Sequence, residues 1–410
     1  MAPPEHVTIV GASLGGMSLA QELRRLGYGG RVTVVGAEKA RAHYDRTQLS
    51  KDLLTGRAEP DSLYLMTEDE VADLSIDLRT GRRATGLHIA TDGKTVTVDD
   101  GSSVAADVVV IATGSSARRP PFPADLRGVH VLRTMEDALA VRAELPKATK
   151  VVVLGAGFIG CEVAASARAL GRDVTVVDLQ PVPMFTALGP VVGDHFARLH
   201  RARGTVLELG TGVAGLVGDG DGHVVGVGLA DGRVLEADLV VIGFGGVPET
   251  QWLLGSGVAV DHGVVCDDAG RTSVAGVLAL GDAATWHSPR HGRHMRSEHW
   301  NHVSLQATVV AENIVAGAVA ADGEPVSRLD ALPSFWTDQF DMRMQLVGAP
   351  HPGDSVDIVA GAPGESGLVA VYSREGRATA AAAVDTPRAL VRHQGLVAEG
   401  APWPRRDTDH

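Results

Sequence analysis

The chain has 410 residues, of which 44 % are hydrophobic and 50 are glycine, and its formal net charge at pH 7 is −13. The length allows two or three domains, and the composition favours a closely packed α/β enzyme over a disordered or fibrous chain. The negative charge disfavours non-specific binding of nucleic acid, and the two cysteines, Cys161 and Cys266, argue against a disulfide framework, a Cys-x-x-Cys redox pair or a cysteine-ligated cluster. We predict no metal site.

The location of the protein can be predicted from its apolar segments. No apolar run reaches the length of a membrane span, so we predict no membrane association. The first predicted strand begins within a few residues of Met1, which leaves no room for a signal peptide. We therefore expect a cytoplasmic protein.

A glycine-rich turn joins the first predicted strand to the first predicted helix. The turn reads Gly11-Ala-Ser13-Leu-Gly15-Gly16, and a second strand follows the helix. Strand, glycine turn, helix and strand together form the dinucleotide-binding unit. This copy departs from the usual pattern, because Ser13 replaces the middle glycine and Gly36 ends the second strand where an acid is expected. Glu38 is the nearest acidic candidate for a ribose hydroxyl.

The chain between this unit and residue 118 has a polar excursion and a β-rich stretch. The excursion reads Tyr44-Asp-Arg-Thr-Gln-Leu-Ser-Lys51. Asp92-Gly and Asp100-Gly predict hairpin turns. The strand Asp107-Val-Val-Val-Ile-Ala-Thr-Gly114 closes the segment.

A second glycine turn matches the dinucleotide pattern more fully. It reads Gly155-Ala-Gly157-Phe158-Ile159-Gly160 and lies between a strand and a helix. The next strand ends at Asp178, whose carboxylate favours a free 2′-hydroxyl and repels a 2′-phosphate, so we predict NADH rather than NADPH. The alternative is a structural helix that binds nothing, but strand, spacing and acid are all present.

The rest of this half repeats the plan of the first. Asp219-Gly-Asp-Gly222 and Asp231-Gly predict hairpin turns, and a strand from Ala237 closes the segment at Gly245. Each half therefore contains a glycine-turn unit, a β-meander and a closing strand, which indicates a duplication at the scale of a domain.

Beyond residue 246 we predict a strand over residues 271–282, a helix from about Asn301 to Val319, and an α+β tail from residue 327. The tail contains predicted strands at Met342–Val347, Ser355–Ala360, Leu368–Ser373 and Ala378–Val384, and then a helix from Pro387.

The stretch Arg290–Arg296 is basic and is predicted to be a loop. It is either a solvated loop or a docking patch for an acidic partner.

Three charged residues are typical of chemistry rather than folding: Arg46, Lys51 and Glu162. Glu162 follows the last glycine of the second turn by two positions, and we place it in the first turn of the helix. One interpretation is a favourable position of a carboxylate in the field of the helix. The other is that Glu162 faces a redox centre and pairs with a lysine.

These motifs resemble those of the FAD-dependent NAD(P)H:ferredoxin reductases that serve oxygenases, the relatives of putidaredoxin reductase and of the dioxygenase reductases. The resemblance covers nearly the whole chain. Besides the two glycine turns, it depends on the motifs Tyr44–Lys51, Ala112–Ser115, Leu132–Asp137, Cys161-Glu162, Gly281-Asp282, Ser297–Asn301 and Phe335–Gln339.

The resemblance implies an α/β fold of three domains. Two Rossmann-like domains would bind FAD (residues 1–118 and 246–326) and NAD (residues 119–245), and a C-terminal α+β interface domain would follow (residues 327–410). The implied reaction is hydride transfer from NADH to FAD, followed by single-electron transfer to a ferredoxin that supplies a cytochrome P450 or a ring-hydroxylating oxygenase. From the basic charge of the stretch, we expect the ferredoxin to dock near Arg290–Arg296.

The resemblance also implies the site residues. The catalytic residues would be Lys51 and Glu162, paired beside the flavin, and Trp336, stacked near the flavin and the nicotinamide. The FAD-binding residues would be Gly11, Ser13, Leu14, Gly15, Gly16, Glu38, Arg46, Lys51, Ala84, Thr113, Gly114, Arg118, Arg133, Asp282, Glu298, His299 and Trp300. The NAD-binding residues would be Gly155, Gly157, Phe158, Ile159, Gly160, Glu162, Asp178, Gly243 and Gly245.

The chain departs from the family in three places. Thr47-Gln48 replaces a usual Pro-Pro, the loop before Tyr44 is one residue longer, and Val247-Pro-Glu249 replaces Arg-Pro-Asn. Three alternatives remain open. They are a reductase of nitrite, peroxide or a quinone on the same scaffold, a slow-turnover NADH-binding flavoprotein that acts as an interaction module, and a nucleotide-binding protein without flavin.

Overall fold

The structure is a computed structural model, and it describes residues 2–40, 43–91, 93–320 and 323–404. The chain forms two compact units. Unit 1 comprises Met1–Asp45, Tyr64–Ser116 and Val247–Ala331, and unit 2 comprises Arg46–Leu63, Ala117–Gly246 and Leu332–His410. The division into three domains expected from the sequence stays a prediction. None of the helices in the described ranges is long and apolar enough to cross a membrane.

The elements up to residue 118 are, in chain order, β1 (His6–Val10), α1 (Leu14–Arg25), β2 (Arg31–Gly36), α2 (Asp52–Thr55), α3 (Glu68–Asp73), β3 (Asp77–Thr80), β4 (Ala84–Ala90), β5 (Gly93–Val98), β6 (Ser103–Ala106), β7 (Val108–Ile111) and β8 (Ser115–Ala117). The elements from there to residue 245 are β9 (Val129–Val131), α4 (Met135–Glu144), β10 (Lys150–Leu154), α5 (Phe158–Ala169), β11 (Asp173–Asp178), α6 (Phe185–Ala202), β12 (Val206–Leu209), β13 (Val213–Gly218), β14 (Val224–Leu229), β15 (Val234–Glu236) and β16 (Leu239–Ile242).

The remaining elements are β17 (Gly246–Pro248), β18 (Val264–Cys266), β19 (Val277–Ala279), β20 (Ala284–Ser288), β21 (Arg293–Met295), α7 (Trp300–Val315), β22 (Ser334–Gln339), β23 (Met342–Gly348), β24 (Ser355–Ala360), β25 (Val369–Arg374), β26 (Arg377–Val384) and α8 (Pro387–Glu399).

Unit 1 is built on a parallel sheet with the strand order β19-β7-β1-β2-β3. Every residue of β7 is buried, as expected for a parallel strand that is covered on both faces. Helices α1 and α7 pack against each other, and their apolar side chains join those of the sheet in one core. Two smaller sheets complete the unit: β4-β5-β6, and β18-β20-β21.

Unit 2 contains a second parallel sheet with the order β12-β11-β10-β16-β9. Its antiparallel ribbon β13-β14-β15 corresponds to β4-β5-β6 of unit 1, so the duplication predicted from the sequence is present. An antiparallel sheet of the order β22-β23-β26-β25-β24 follows, and α8 packs on it. The predicted α/β class with an α+β tail is confirmed.

The two glycine-turn helices end in the same way, because α1 is followed by Leu26-Gly27 and α5 by Leu170-Gly171. Gly27 has a φ of +78° and Gly171 a φ of +76°. A glycine in this left-handed conformation ends a helix without steric penalty, so the same local signal terminates both copies.

Most predicted element bounds agree with the structure, and the predicted turns at Asp100, Asp219–Gly222 and Asp231 join antiparallel strands. The turn predicted at Asp92 lies outside the described residues.

Three expectations about the elements were wrong. The strand over residues 271–282 is limited to β19, the helix from Asn301 to Val319 is α7 and ends at Val315, and the predicted loop Arg290–Arg296 contains β21, which pairs with β20.

Candidate functional site

The second glycine turn follows β10 at the centre of the parallel sheet of unit 2. Gly155 has a φ of +103°, and a Cβ on it would lie 2.4 Å from the carbonyl oxygen of Gly243. A Cβ on Gly160 would lie 2.0 Å from the carbonyl oxygen of Gly155. Gly157 differs, because its φ is −73° and no atom lies within 4 Å of a Cβ built there. Packing therefore requires Gly155 and Gly160, whereas Gly157 leaves open space at a helix N-terminus, where a pyrophosphate fits.

Asp178 ends β11 beside this turn. Its carboxylate accepts the backbone N–H of Ala156 at 2.5 Å and that of Gln180 at 2.7 Å. These bonds orient the carboxylate at the carboxyl edge of the sheet, where ligands of such sheets bind. The next residue is Leu179, which is 74 % exposed, so the side chain that directly follows the acid is not basic.

The strand β16 brings its own glycines to the same edge. The N–H of Gly243 donates to the carbonyl oxygen of Leu154 at 2.7 Å, and Gly245 has a φ of +88°. The structure therefore brings Gly155, Gly160 and Gly243 together. Phe158 and Ile159 open α5, and Ile159 is 43 % exposed.

The first glycine turn has the same packing constraints within unit 1. A Cβ on Gly11, whose φ is +124°, would lie 2.0 Å from the carbonyl oxygen of Ala112. A Cβ on Gly16 would lie 1.8 Å from the carbonyl oxygen of Gly11. Ser13 occupies the position before Leu14, the first residue of α1, in an extended conformation. The turn is thus as closely packed as its counterpart although it lacks the middle glycine.

Three strand ends of unit 1 meet at this turn. A Cβ on Gly15 would lie 2.5 Å from the Leu280 side chain and 3.1 Å from that of Val303. Leu280 leads into Gly281-Asp282, and the Asp282 carboxylate accepts the hydroxyl of Ser115 at 3.1 Å. Thr113 and Gly114 follow β7 directly. The carboxyl ends of β1, β7 and β19 are therefore adjacent, together with the first turns of α1 and α7.

The missing acid at the end of β2 has a steric reason. A Cβ on Gly36 would lie 2.5 Å from the Cβ of Ala12, so a side chain does not fit there. Glu38 comes two residues later and accepts the hydroxyl of Tyr44. Ala84 opens β4 and packs against the core.

The segment before and within the first turn of α7 is rich in buried polar groups. Among the residues that the structure describes, the Ser297 hydroxyl and the Nδ1 atom of His302 are buried and have no hydrogen-bond partner. Burial lowers the pKa of His299 and His302 to about 4, so both rings are neutral at pH 7. Buried polar atoms without protein partners fit a polar ligand at the start of α7. Trp300 begins this helix, and Glu298 forms an ion pair with Arg296.

Lys51 and Glu162 form the expected ion pair within unit 2. The Lys51 Nζ atom lies 3.0 Å from Glu162 Oε2, and the residues are only 9 % and 4 % exposed. Glu162 is the fifth residue of α5, so the expectation that it lies in the first helical turn was wrong. Its Oε2 also accepts the Ser50 hydroxyl at 2.6 Å, and its Oε1 accepts the Thr337 hydroxyl at 2.8 Å.

Three predicted arginines of unit 2 take part in hydrogen bonds that involve the backbone. Arg46 donates to the carbonyl oxygen of Arg133 at 2.9 Å, and the Arg118 N–H donates to that of Gly245 at 2.9 Å. The N–H of Arg133 donates to Asp137, which forms a capping box with Thr134 at the start of α4. The motif Leu132–Asp137 therefore shapes a helix N-terminus.

Trp336 lies in the middle of β22. Side chains alternate between the two faces of a strand, so Trp336 points away from the face that carries Phe335 and Thr337. The ring of Phe335 meets that of Phe158 edge to face with centroids 5.0 Å apart. The stacking role of Trp336 stays a prediction.

Both cysteines are free and buried. Burial raises the pKa of the Cys161 and Cys266 thiols well above the usual range. A reactive cysteine needs an accessible thiolate, so neither cysteine is suited to disulfide chemistry.

Sequence reasoning missed the residues that surround the ion pair. Ser50 and Thr337 each lie inside a quoted motif, Tyr44–Lys51 and Phe335–Gln339, but a hydroxyl with a buried partner far away in sequence has no local signal. The signal that could have found Thr337 is the alternation of β22, which puts Thr337 and Gln339 on one face.

Comparison with known proteins agrees with this geometry. Residues 5–311 match the family model "Pyridine nucleotide-disulphide oxidoreductase", and residues 334–409 match the model "Reductase C-terminal". The chain is 38 % identical over 407 residues to the ferredoxin reductase component of chlorobenzene dioxygenase from Cupriavidus sp. (strain PS12), covering 98 % of this chain and 95 % of the relative.

Two further relatives give the same result. The chain is 38 % identical to the ferredoxin–NAD(+) reductase subunit of the benzene 1,2-dioxygenase system of Pseudomonas putida, over 96 % of this chain and 92 % of the relative. The reductase in the crystal structure of the covalent putidaredoxin reductase–putidaredoxin complex is similar in fold, with a TM-score of 0.90, 32 % identity, and coverage of 97 % of this chain and 94 % of that one. The chain therefore belongs to the pyridine nucleotide-disulphide oxidoreductase family, among its ferredoxin reductases.

Proposed function

We propose that this protein is an NADH-dependent ferredoxin reductase that uses FAD. The observation that carries the proposal is the presence of two closely packed glycine turns, each at the carboxyl edge of its own parallel sheet, in a chain of the ferredoxin reductase family. Two dinucleotide-binding units in one chain allow electrons to pass between a resident and an exchangeable dinucleotide.

We propose that the first glycine turn, in which Ser13 replaces the middle glycine, binds FAD. Its close-packed glycines, the adjacent strand ends and the unpartnered polar atoms at α7 fit a large, permanently held ligand. Glu38 would bind a ribose hydroxyl, and Asp282 would face the ribityl chain or the pyrophosphate. The other proposed FAD-binding residues are those that the family resemblance implies. FAD-binding residues would lie in residues 1–118 and 246–326.

The second turn is proposed for NADH. The open space at Gly157 would hold the pyrophosphate, and the Asp178 carboxylate would bind the ribose and repel a 2′-phosphate. Glu162 would lie toward the nicotinamide, with Gly243 and Gly245 beside it. NAD-binding residues would lie in residues 119–245, and residues 327–410 would form the interface domain.

The flavin, when bound, would take a hydride from NADH and pass the two electrons singly to a ferredoxin. The protein aligns the rings and supplies the electrostatic environment. The Lys51 ammonium, held by Glu162 and by the Thr47 carbonyl oxygen at 2.8 Å, is a fixed positive charge that stabilises negative charge developing nearby. Trp336 is proposed to stack near the rings.

The electron acceptor is proposed to be an external protein. Because neither cysteine is an accessible thiolate, the chain has no dithiol of its own to receive electrons. A ferredoxin as the acceptor fits the relatives, which are ferredoxin reductases. We propose that it docks at Arg290–Arg296, and that the downstream enzyme is a cytochrome P450 or a ring-hydroxylating oxygenase. We also propose a cytoplasmic location, where NADH is available.

Absorption spectroscopy followed by an acceptor assay tests this function. The purified protein should be yellow, with an absorption band at about 450 nm that NADH bleaches under anaerobic conditions. Cytochrome c reduction should then depend on added ferredoxin. A colourless protein would contradict the flavin assignment. Rapid turnover with nitrite, peroxide or a quinone in the absence of ferredoxin would contradict the proposal that ferredoxin is the electron acceptor. A reduced flavin that persists in the presence of ferredoxin would contradict it as well.

A Lys51→Ala variant tests the role of the ammonium. It should bind FAD but be reduced by NADH more slowly than the wild type, because the fixed positive charge is lost. Stopped-flow absorbance measures the rate, and an unchanged rate would show that Lys51 has no such role.

A further inference from the structure

A chain of buried hydrogen bonds leads from Glu162 to helix α6 within unit 2. The Thr337 hydroxyl donates to Glu162 Oε1 at 2.8 Å, and the Gln339 amide donates to the Thr337 hydroxyl oxygen at 3.2 Å. The Gln339 carbonyl oxygen lies 2.9 Å from Nε2 of His200. Thr337 is 1 % exposed, and Gln339 and His200 are fully buried.

In this series of hydrogen bonds, every donor points toward Glu162. The amide of Gln339 donates through nitrogen and accepts through oxygen, so His200 must carry its proton on Nε2. Its Nδ1 is then left to accept the hydroxyl of Thr205 at 3.4 Å. Because Thr337 already accepts from Gln339, its own proton is available for Glu162. Burial lowers the pKa of His200 to about 4, so the ring is neutral and this arrangement persists at neutral pH.

Thr337 supplies a donor to one of the two oxygens of the Glu162 carboxylate. Ser50 and Lys51 occupy Oε2, and Thr337 occupies Oε1. A carboxylate with donors on both oxygens cannot rotate about its last bond without breaking buried hydrogen bonds. Glu162 is in turn one of the two groups that hold the Lys51 ammonium, the other being the Thr47 carbonyl oxygen.

The strand itself does not require this hydroxyl. Valine has the same shape as threonine and forms strands as well, so a buried Thr337 is explained by its proton and not by its backbone preference. Gln339 lies on the same face, two residues later, and its amide reaches Thr337.

We propose that Thr337 is a positioning residue that holds Glu162, and through it Lys51, in the orientation that flavin reduction needs, with Gln339 and His200 fixing the direction of its hydroxyl. This proposal rests on the proposed function. It gives β22 a second role at the redox site, beside the stacking proposed for Trp336.

Three variants of the FAD-loaded protein test the proposal: Thr337→Val, Thr337→Ser and Thr379→Val. Thr379 is the matched control, because its hydroxyl donates to the Asp354 carboxylate, also at 2.8 Å, in the same antiparallel sheet. T337V should slow flavin reduction by NADH about tenfold, which corresponds to one lost hydrogen bond to a charged group. T337S and T379V should stay within about twofold of the wild type.

The midpoint potential of the bound flavin gives a second readout that needs no NADH. T337V should shift this potential, and the shift should disappear when T337V is combined with Lys51→Met, because Thr337 acts through the ammonium. Equal effects of T337V and T379V, or a shift that persists in the Lys51→Met background, would overturn the proposal. If T337V loses FAD, Thr337→Ala takes its place in the same measurements. A wild-type protein that NADH does not reduce contradicts the proposed function instead.

Discussion

The Lys51 ammonium and the Glu162 carboxylate are both removed from water, which makes each dependent on the other. A buried ion pair contributes little net stability, but removing one partner leaves an uncompensated charge in the interior. The pair therefore explains why Lys51, although it lies in a loop before α2, has a defined position: its nitrogen is bound by Glu162 and by the Thr47 carbonyl oxygen.

This dependence predicts a non-additive effect on stability. Glu162→Gln should destabilise the FAD-loaded protein by about 3–5 kcal/mol, because Lys51 remains buried and charged. The double variant Lys51→Met/Glu162→Gln should recover most of that loss, since neither charge remains. Thermal unfolding of the wild type, both single variants and the double variant measures the difference. A double variant as unstable as the sum of the singles would contradict the pairing.

The glycine turn of α5 separates two reasons for a glycine. Gly160 allows α5 to pack on β10, because a Cβ would lie 2.0 Å from a backbone oxygen, whereas the backbone of Gly157 is compatible with any residue and faces open space. The sequence pattern makes the two positions look alike, and the packing distinguishes them.

Two alanine variants test this difference. Gly157→Ala should leave the melting temperature nearly unchanged but weaken NADH binding by about tenfold or more, because the new methyl group lies where the pyrophosphate approaches. Gly160→Ala should lower the melting temperature strongly, since a backbone oxygen cannot move aside. Calorimetry of NADH binding and of unfolding measures both. Unweakened NADH binding by Gly157→Ala would place the pyrophosphate elsewhere.

Strand β21 changes the interpretation of the basic stretch. Arg290 pairs with Asp330 at 3.3 Å and Arg296 pairs with Glu298, so neither is a free positive charge. Arg293 is exposed and has no carboxylate partner in the described ranges. Docking of an acidic ferredoxin would therefore depend mostly on Arg293.

Reversing this charge tests the docking surface. Arg293→Glu should raise the KM for ferredoxin several-fold at low salt, and the difference should shrink as ionic strength rises, because salt screens exposed charges. Flavin reduction by NADH should not change. Arg392→Glu, which makes the same change in net charge on the exposed part of α8, is the control. If both variants raise KM equally, the effect comes from net charge and the docking surface is wrong.

Several histidine rings in the molecule are removed from water and uncharged at neutral pH. Burial lowers to about 4 the pKa of His43, His195, His200, His299 and His302. In the unfolded chain these rings have a pKa of about 6.5, so between pH 6.5 and pH 4 the unfolded state binds more protons than the folded state. Their effect is absent above this window, and within it stability falls as the pH falls.

This linkage predicts that the protein loses stability at a pH well above the range in which carboxylates titrate. Each such histidine should lower the free energy of unfolding by about 1.4 kcal/mol per pH unit in the window. His195→Asn, which keeps an acceptor for the Gly364 N–H, should reduce the slope, whereas His88→Gln, at an exposed position of β4, should not. Melting temperatures from pH 7.5 to 5 measure the slope. A flat profile in the wild type would contradict the buried neutral rings.

The amino-acid order alone determined the duplicated α/β plan, both glycine turns, most strands of the tail and the pairing of Lys51 with Glu162. These features follow from local patterns, namely apolar runs, glycine spacing and turn residues, or from motifs that resemble a known family. The tertiary structure was needed to show which glycines are required by packing, which arginines are already paired, and that Thr337, Gln339 and His200 lead to Glu162. Those facts depend on side chains that are far apart in sequence, and their hydrogen bonds and clashes exist only after the chain has folded.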